Sequence, residues 1–173
     1  MSPERTSRER IALYTTVYPG VERYLGEWWR SVAAQSDQDF DLWIGADGLD
    51  AEAVYAAMGA RPAAEWVFAE PGDTPAQIRE RAIRRIVARY PAVVFADSDD
   101  VLAPSRIAGA RAALRTLDVS ACALRIIDED GRDVGCTFGP PPEADPAELL
   151  PRYNVFGLSN TAYRSDVLAR CLP

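Results

Sequence analysis

The string Asp97-Ser98-Asp99-Asp100 sets three carboxylates within four positions, directly after the apolar run Ala92 to Ala96. Carboxylates so crowded repel one another unless water, protons or a cation intervene. A hard divalent cation such as Mg²⁺ or Mn²⁺ takes oxygen ligands, commonly one or two protein carboxylates completed by substrate phosphates and water. A tight acidic turn facing a diphosphate would suit such an ion. A solvated turn, with Asp97 or Asp100 helping to cap the helix that follows, accounts for the same string without a ligand.

Arg79 is an independent candidate. Arg79, Ile83, Ile86 and Tyr90 follow one another at spacings of four, three and four, so they share one face of a helix. That face is otherwise apolar, and the helix macrodipole does not favour a cation in the first turns. An arginine on it therefore points to a carboxylate or phosphate partner at the strand ends. The alternatives are a snorkelling side chain or a structural ion pair with Asp97 or Asp99. Thr16 and Tyr18 follow the first strand and Asp47 the second. Tyr18 could stack on a nucleobase, and Asp47 could accept hydrogen bonds from a base N–H or a ribose hydroxyl. Tyr18-Pro19-Gly20 and Asp47-Gly48 also suit plain turns.

These residues need elements to hold them at one edge. Ile11 to Thr16 is β-prone, and Val21 to Ala34 carries Val21, Leu25, Trp28 and Val32 at helical spacing. Phe40 to Ala46 suits a second strand, and Ala51 to Met58 a second helix ended by Gly59. Glu65 to Ala69 is a third strand. Thr74 is a candidate N-cap, with Pro75 at the first position of a helix to about Tyr90. Ala92 to Ala96 is wholly apolar, as befits a strand covered on both faces, and Pro104 opens a helix to about Leu117. This alternation predicts an α/β layered domain with a mainly parallel sheet. In open sheets of that kind ligands bind outside the carboxyl ends of the strands, which is where Thr16, Tyr18, Asp47 and Asp97 to Asp100 fall. The pattern then changes. Val119 to Ile127, the turn Asp128-Glu129-Asp130-Gly131 and Arg132 to Phe138 predict a β-hairpin. A stiff loop Gly139 to Pro142, a short helix at Pro146 to Leu150, an irregular stretch through Asn160 and a helix near Tyr163 to Cys171 complete the chain.

Composition removes whole classes of chemistry. The 173 residues are the size of one domain, and 48% hydrophobic content can build a core without disulfides. There is no histidine, and all 19 basic residues are arginine. Histidine-dependent nucleophilic sites, HExxH zinc centres, a P-loop lysine and a Schiff base are therefore excluded. Acid–base chemistry must rest on carboxylates. A net charge of −7 argues against nucleic acid as a partner, since that binding needs a basic face. Cys122, Cys136 and Cys171 lack CxxC spacing, which fits a reducing cytoplasm. No apolar run approaches the roughly 20 residues of a transmembrane segment, and Met1 to Arg10 is charged rather than signal-like. Peripheral contact with a membrane stays open.

In their order these segments resemble the GT-A glycosyltransferases of family 2. Ala12-Leu13-Tyr14-Thr15-Thr16-Val17-Tyr18-Pro19 is similar to that family's first strand and its Thr/Pro-x-Tyr-Asn-like turn. Ser31-Val32-Ala33-Ala34-Gln35 through Phe40-Asp41-Leu42-Trp43-Ile44 resembles its S-x-x-x-Q … (D)F-E-(I/L)-x-(I/V) passage, and Ala46-Asp47-Gly48-Leu49-Asp50 its D-D-G-S-x-D. Arg79 matches the arginine of an A-R-N helix, Asp97-Ser98-Asp99-Asp100 a D-x-D-D string, and Phe156 to Arg164 the acceptor-side loop before a helix.

The resemblance implies a GT-A, Rossmann-like three-layer sandwich and a metal-dependent, inverting glycosyltransferase using a nucleoside-diphosphate sugar, UDP-type favoured, and a sugar or glycan acceptor. Thr16, Tyr18 and Asp47 would hold the nucleoside with Arg79 nearby, Asp97 would face the ribose, Asp99 would take Mn²⁺ or Mg²⁺, and Asp100 would assist either. Pro19 in place of Asn, Ala46 in place of the first aspartate and Glu80 in place of the Asn after Arg79 depart from the pattern. The family's base commonly lies in an acidic motif beyond the acceptor-side loop, and this chain stops at Pro173, so no residue is assigned as base. A trimmed single domain, a short divergent enzyme and a donor-binding relative without transfer activity all fit. A sugar-phosphate nucleotidyltransferase fits less well, because Thr15 to Gly20 has one glycine and no cation.

Overall fold

The computed structural model describes residues 10–139, 145–149, 151–153 and 156–173. Ile11–Val17 is β1, Glu22–Ala33 α1, Phe40–Ala46 β2, Ala51–Met58 α2, Ala64–Phe68 β3, Pro75–Arg89 α3 and Ala92–Phe95 β4. They are followed by Arg106–Ala113 (α4), Val119–Ala121 (β5), Leu124–Ile127 (β6), Asp133–Phe138 (β7), Pro146–Leu149 (α5), Thr161–Arg164 (β8) and Ser165–Ala169 (α6). The main sheet runs β3-β2-β1-β4-β8-β5. β3, β2, β1 and β4 are parallel, while β8 lies antiparallel to both β4 and β5.

Strand periodicity divides the core into two halves. Leu13, Val17, Ile44 and Val94 point to the side covered by α1, α2 and α4, where Leu25, Trp28, Val54 and Ile107 meet them. Ala12, Tyr14, Trp43, Val93 and Phe95 point to the opposite side, under Ile78, Ala82 and Ile86 of α3. The result is the expected α/β three-layer sandwich with a mainly parallel sheet. β1 and β4 are covered on both faces, which explains why their sequences are apolar runs without polar alternation.

Helix ends follow local chemistry. Thr74 and Gln77 form a reciprocal capping box with Pro75 just inside α3. At its other end Tyr90 is extended, as the following Pro91 requires. Helix α4 starts at Arg106 and not at the expected Pro104, because the preceding turn is tied to the end of α1. Ala103 O accepts from Gln35 Nε2 at 2.9 Å, and Pro104 O accepts from the Ser36 N–H at 2.8 Å.

Two expectations after residue 117 are corrected. Val119 to Ile127 is not one arm of a hairpin. It divides at Cys122-Ala123, so that β5 forms the edge of the main sheet while β6 pairs with β7 in a separate two-stranded sheet. The turn between β6 and β7 is where it was expected, with Asp128 Oδ1 accepting from the N–H groups of Asp130 and Arg132. The helix expected near Tyr163 to Cys171 is shorter and is preceded by β8. Thr161 and Ala162 are buried between β4 and β5, and the Tyr163 ring sits edge-on to Phe95 at 5.9 Å. The loop expected over Pro140 to Pro142, the helix end at Leu150 and the segment before Arg10 lie outside the described residues. Among the described residues no helix is long and apolar enough to cross a membrane.

Candidate functional site

Past the ends of β2 and β4, hydrogen bonds continue each ladder onto β1, which lies between them. The Asp47 N–H donates to Val17 O at 2.9 Å, and the Ala96 N–H donates to Tyr14 O at 3.0 Å. Asp47 and Asp97 therefore leave the sheet on either side of β1. Gly48 has φ +73, and a Cβ there would meet Pro19 Cγ at 3.3 Å, so the loops after β1 and β2 lie against each other. The proline that departs from the family pattern occupies that contact.

The acidic turn is anchored on two sides. Ser98 is buried and its hydroxyl donates to Thr16 O at 2.6 Å, pinning the turn to β1. Ser159, from the loop before β8, accepts the Asp97 N–H at 3.0 Å and donates to Asp100 Oδ2. The turn closes on itself through the Asp100 N–H to Asp97 O, 3.3 Å.

Thr16, Tyr18, Asp47, Pro75, Arg79, Asp97, Ser98 and Asp99 line one pocket of about 440 Å³. That volume lies within the range of small-molecule sites. Six of the seven residues singled out from the sequence thus meet; Asp100 is the exception, turned to Ser159. Sequence reasoning missed Ser98, Pro75 and Ser159. Proline at the first turn of α3 carried a signal for the helix start only, and Ser159 carried none.

Electrostatics leave the pocket acidic. Burial, followed by the charges of Asp100 and Asp99, raises the Asp97 carboxyl above the usual aspartate range, and Arg79 only partly opposes this. Tyr18 donates to Asp99 Oδ2 at 3.4 Å, and burial together with the Asp99 charge raises its phenol, which stays neutral. Three carboxylates face Arg79, the one cationic residue among the pocket-lining residues. Arg79 Nε is buried without an acceptor, and among the described residues the guanidinium forms no ion pair. The structural pair with Asp97 or Asp99 is therefore not made.

A floor of side chains lies beneath the pocket. Tyr14 is buried with its hydroxyl accepting from Thr16 Oγ1 at 3.1 Å, and burial raises its pKa so that it remains a phenol. A Cβ at Gly45 would collide with that hydroxyl and would lie 3.2 Å from Ile78 Cγ2. Ahead of α3, Asp73 accepts from Arg81, which also donates to Phe68 O at 2.8 Å, tying down the loop that leads into the helix carrying Pro75 and Arg79. Arg81 holds the Asp73 carboxyl below its usual range.

Among the described residues no three acidic or cysteine side chains converge into a cage of their own. Mg²⁺ and Mn²⁺ do not need one when substrate phosphates and water complete the shell. Exposed Asp99 with Asp97 beside it fits that arrangement.

No protein-family model matches the sequence, and no curated protein is found as a relative. Solved structures do resemble the fold. S. aureus TarS 1–349 matches with a TM-score of 0.63 and 20% identity over 94% of this chain and 49% of that one, and it is also known with UDP-GlcNAc and with UDP. The mannosyltransferase PcManGT from Pyrobaculum calidifontis, in complex with GDP-Man and Mn²⁺, matches at 0.56 and 15% identity, covering 94% and 46%. The 4-diphosphocytidyl-2C-methyl-D-erythritol synthase of Anaerococcus prevotii matches at 0.60 and 12% identity, covering 95% and 73%. The chain spans about half the length of the TarS structure. What the sheet order, the separate hairpin and these likenesses establish together is the fold, which is that of the GT-A glycosyltransferases.

Proposed function

We propose that this chain binds a nucleoside-diphosphate sugar, UDP-type favoured, with Mn²⁺ or Mg²⁺, and serves sugar transfer to a sugar or glycan acceptor. The observation that carries the reading is the convergence of Thr16, Tyr18, Asp47, Arg79, Asp97 and Asp99 on one pocket at the strand ends. In support, solved structures of the same fold hold UDP-GlcNAc, UDP and GDP-Man with Mn²⁺.

Thr16, Tyr18 and Asp47 take the nucleoside, the Tyr18 ring by stacking and Asp47 by accepting hydrogen bonds. Asp97 faces the ribose, and Arg79 supplies its buried guanidinium to the anionic side of the donor. Asp99 would hold the ion beside Asp97, with Asp100 kept on Ser159. An ion held there would supply positive charge to offset that of the diphosphate leaving group. In an inverting transfer the acceptor oxygen bonds to the anomeric carbon as the bond to the diphosphate oxygen breaks, and a carboxylate base takes the hydroxyl proton. None of the pocket residues is assigned that role.

The test is a thermal-shift panel of UDP, GDP, CDP and dTDP with and without Mn²⁺, since a ligand selective for the folded state raises its melting temperature. A metal-dependent rise with one of them, lost in Asp99→Ala, is expected. No shift with any of the four would overturn the reading. The synthase likeness gives a specific reason to examine nucleotidyl transfer as well. Pyrophosphate release from a nucleoside triphosphate plus a sugar phosphate would favour it, although the loop after β1 has no cation to meet a triphosphate. A shift with no donor turnover, even to water, would favour a binding domain without catalysis.

A further inference from the structure

Ser159 lies 59 residues from Asp100 in sequence and on a different loop, yet both sides of its hydroxyl are committed to the acidic turn. Its oxygen accepts the Asp97 N–H at 3.0 Å, and its single proton goes to Asp100 Oδ2. The residue is buried, at 8% exposure. A hydroxyl is the smallest neutral side chain that can accept and donate at once, so alanine would leave the amide without its acceptor and the carboxylate without its donor.

The two bonds have different consequences for the turn. Holding the Asp97 N–H fixes the direction in which the chain leaves β4, and so the height at which Asp97 and Asp99 stand in the pocket. Holding Asp100 keeps the third carboxylate outside the pocket lining. The Ser98 bond to Thr16 O completes the restraint from the β1 side. With both anchors in place the turn offers its carboxylates as a set of fixed composition.

We infer that Ser159 is a positioning residue for divalent-ion binding, acting through Asp97 and Asp100 and linking the loop before β8 to the ion. The inference rests on the donor-binding reading of the pocket. Side chains that orient ligands typically alter metal affinity tenfold to a hundredfold when removed. Thr16, Tyr18 and Asp47 are not held by Ser159, which reaches the nucleoside only through Asp97 at the ribose.

The experiment measures Mn²⁺ affinity by titration calorimetry in the presence of UDP, and UDP affinity without metal, for the wild type, Ser159→Ala, Ser159→Thr, Asp100→Ala and the Ser159→Ala/Asp100→Ala double variant. Ser159→Ala is expected to weaken Mn²⁺ about tenfold or more, and metal-free UDP, which meets the acidic turn only through Asp97 at the ribose, by clearly less. Ser159→Thr, which keeps the hydroxyl, restores most of the loss. The effects of Ser159→Ala and Asp100→Ala are expected to be non-additive, as for groups in one network. Unchanged Mn²⁺ affinity in Ser159→Ala, or equal loss of metal-dependent and metal-free binding, would overturn the inference and leave the donor reading intact. A wild type that binds neither UDP nor Mn²⁺ would overturn both. Should Ser159→Ala fail to fold, Asp100→Ala still decides, because an Mn²⁺ affinity unchanged in that variant counts against the role.

Discussion

At the scale of single residues, the pocket was largely legible because its chemistry follows strands directly. Polar types placed just after apolar runs identified Tyr18, Asp47, Asp97 and Asp99, with Thr16 lying inside the end of β1 itself, and helical spacing identified Arg79. Asp100 was not separable from its neighbours by type; what turns it away is a serine 59 positions later. No local pattern marks such a partner. The raised Asp97 carboxyl has a stability consequence in the metal-free protein. Its folded value lies above the ordinary one near 3.8, so the folded state binds more protons in that window and loses stability as pH rises through it. Asp97→Asn removes the cost of burying that charge. The variant is expected to resist urea better than wild type at pH 7, with the difference shrinking as pH falls toward 3.8, while its affinity for nucleoside diphosphate drops. Equal urea midpoints at pH 7 would refute this.

Elements were legible where their pattern was regular. β1 to β4 and α1 to α3 fall close to their expected bounds because buried strands, caps and prolines mark them locally. The chain from Val119 to Ile127 was not legible, since a sequence of uniform β propensity does not reveal that its halves pair with different partners. β8 was hidden for a related reason: its neighbours in the sheet, β4 and β5, are both distant in sequence. Two element-level expectations concern what holds Arg79 and Thr16. Gly45→Ala drives a methyl into the Tyr14 hydroxyl and against Ile78, and overpacking of this kind costs about 1–3 kcal/mol in urea denaturation. Thr74→Ala removes the capping box of α3 and should cost about 1 kcal/mol, with nucleotide binding weakened much less than by Arg79→Ala. A Gly45→Ala protein as stable as wild type would show that Tyr14 is free to move.

For the molecule as a whole, the layer architecture was foreseeable from alternating strands and helices, and likenesses at 20% identity or below agree on it. The separate β6–β7 sheet stands apart from that architecture. Every residue of β7 is exposed, as are Ile126 and Ile127 of β6, whereas β1 and β4 are enclosed by helices. A two-stranded hairpin with so little packing is marginal by itself. Its amides should therefore exchange with deuterium through local opening, within seconds to minutes, while those of Leu13 and Val94 exchange only when the protein unfolds globally. Denaturant would slow-release the second group at its global midpoint and leave the first unaffected. The fold would then carry two clocks, and a partner that settled on the hairpin would be seen first as a slowing of the faster one.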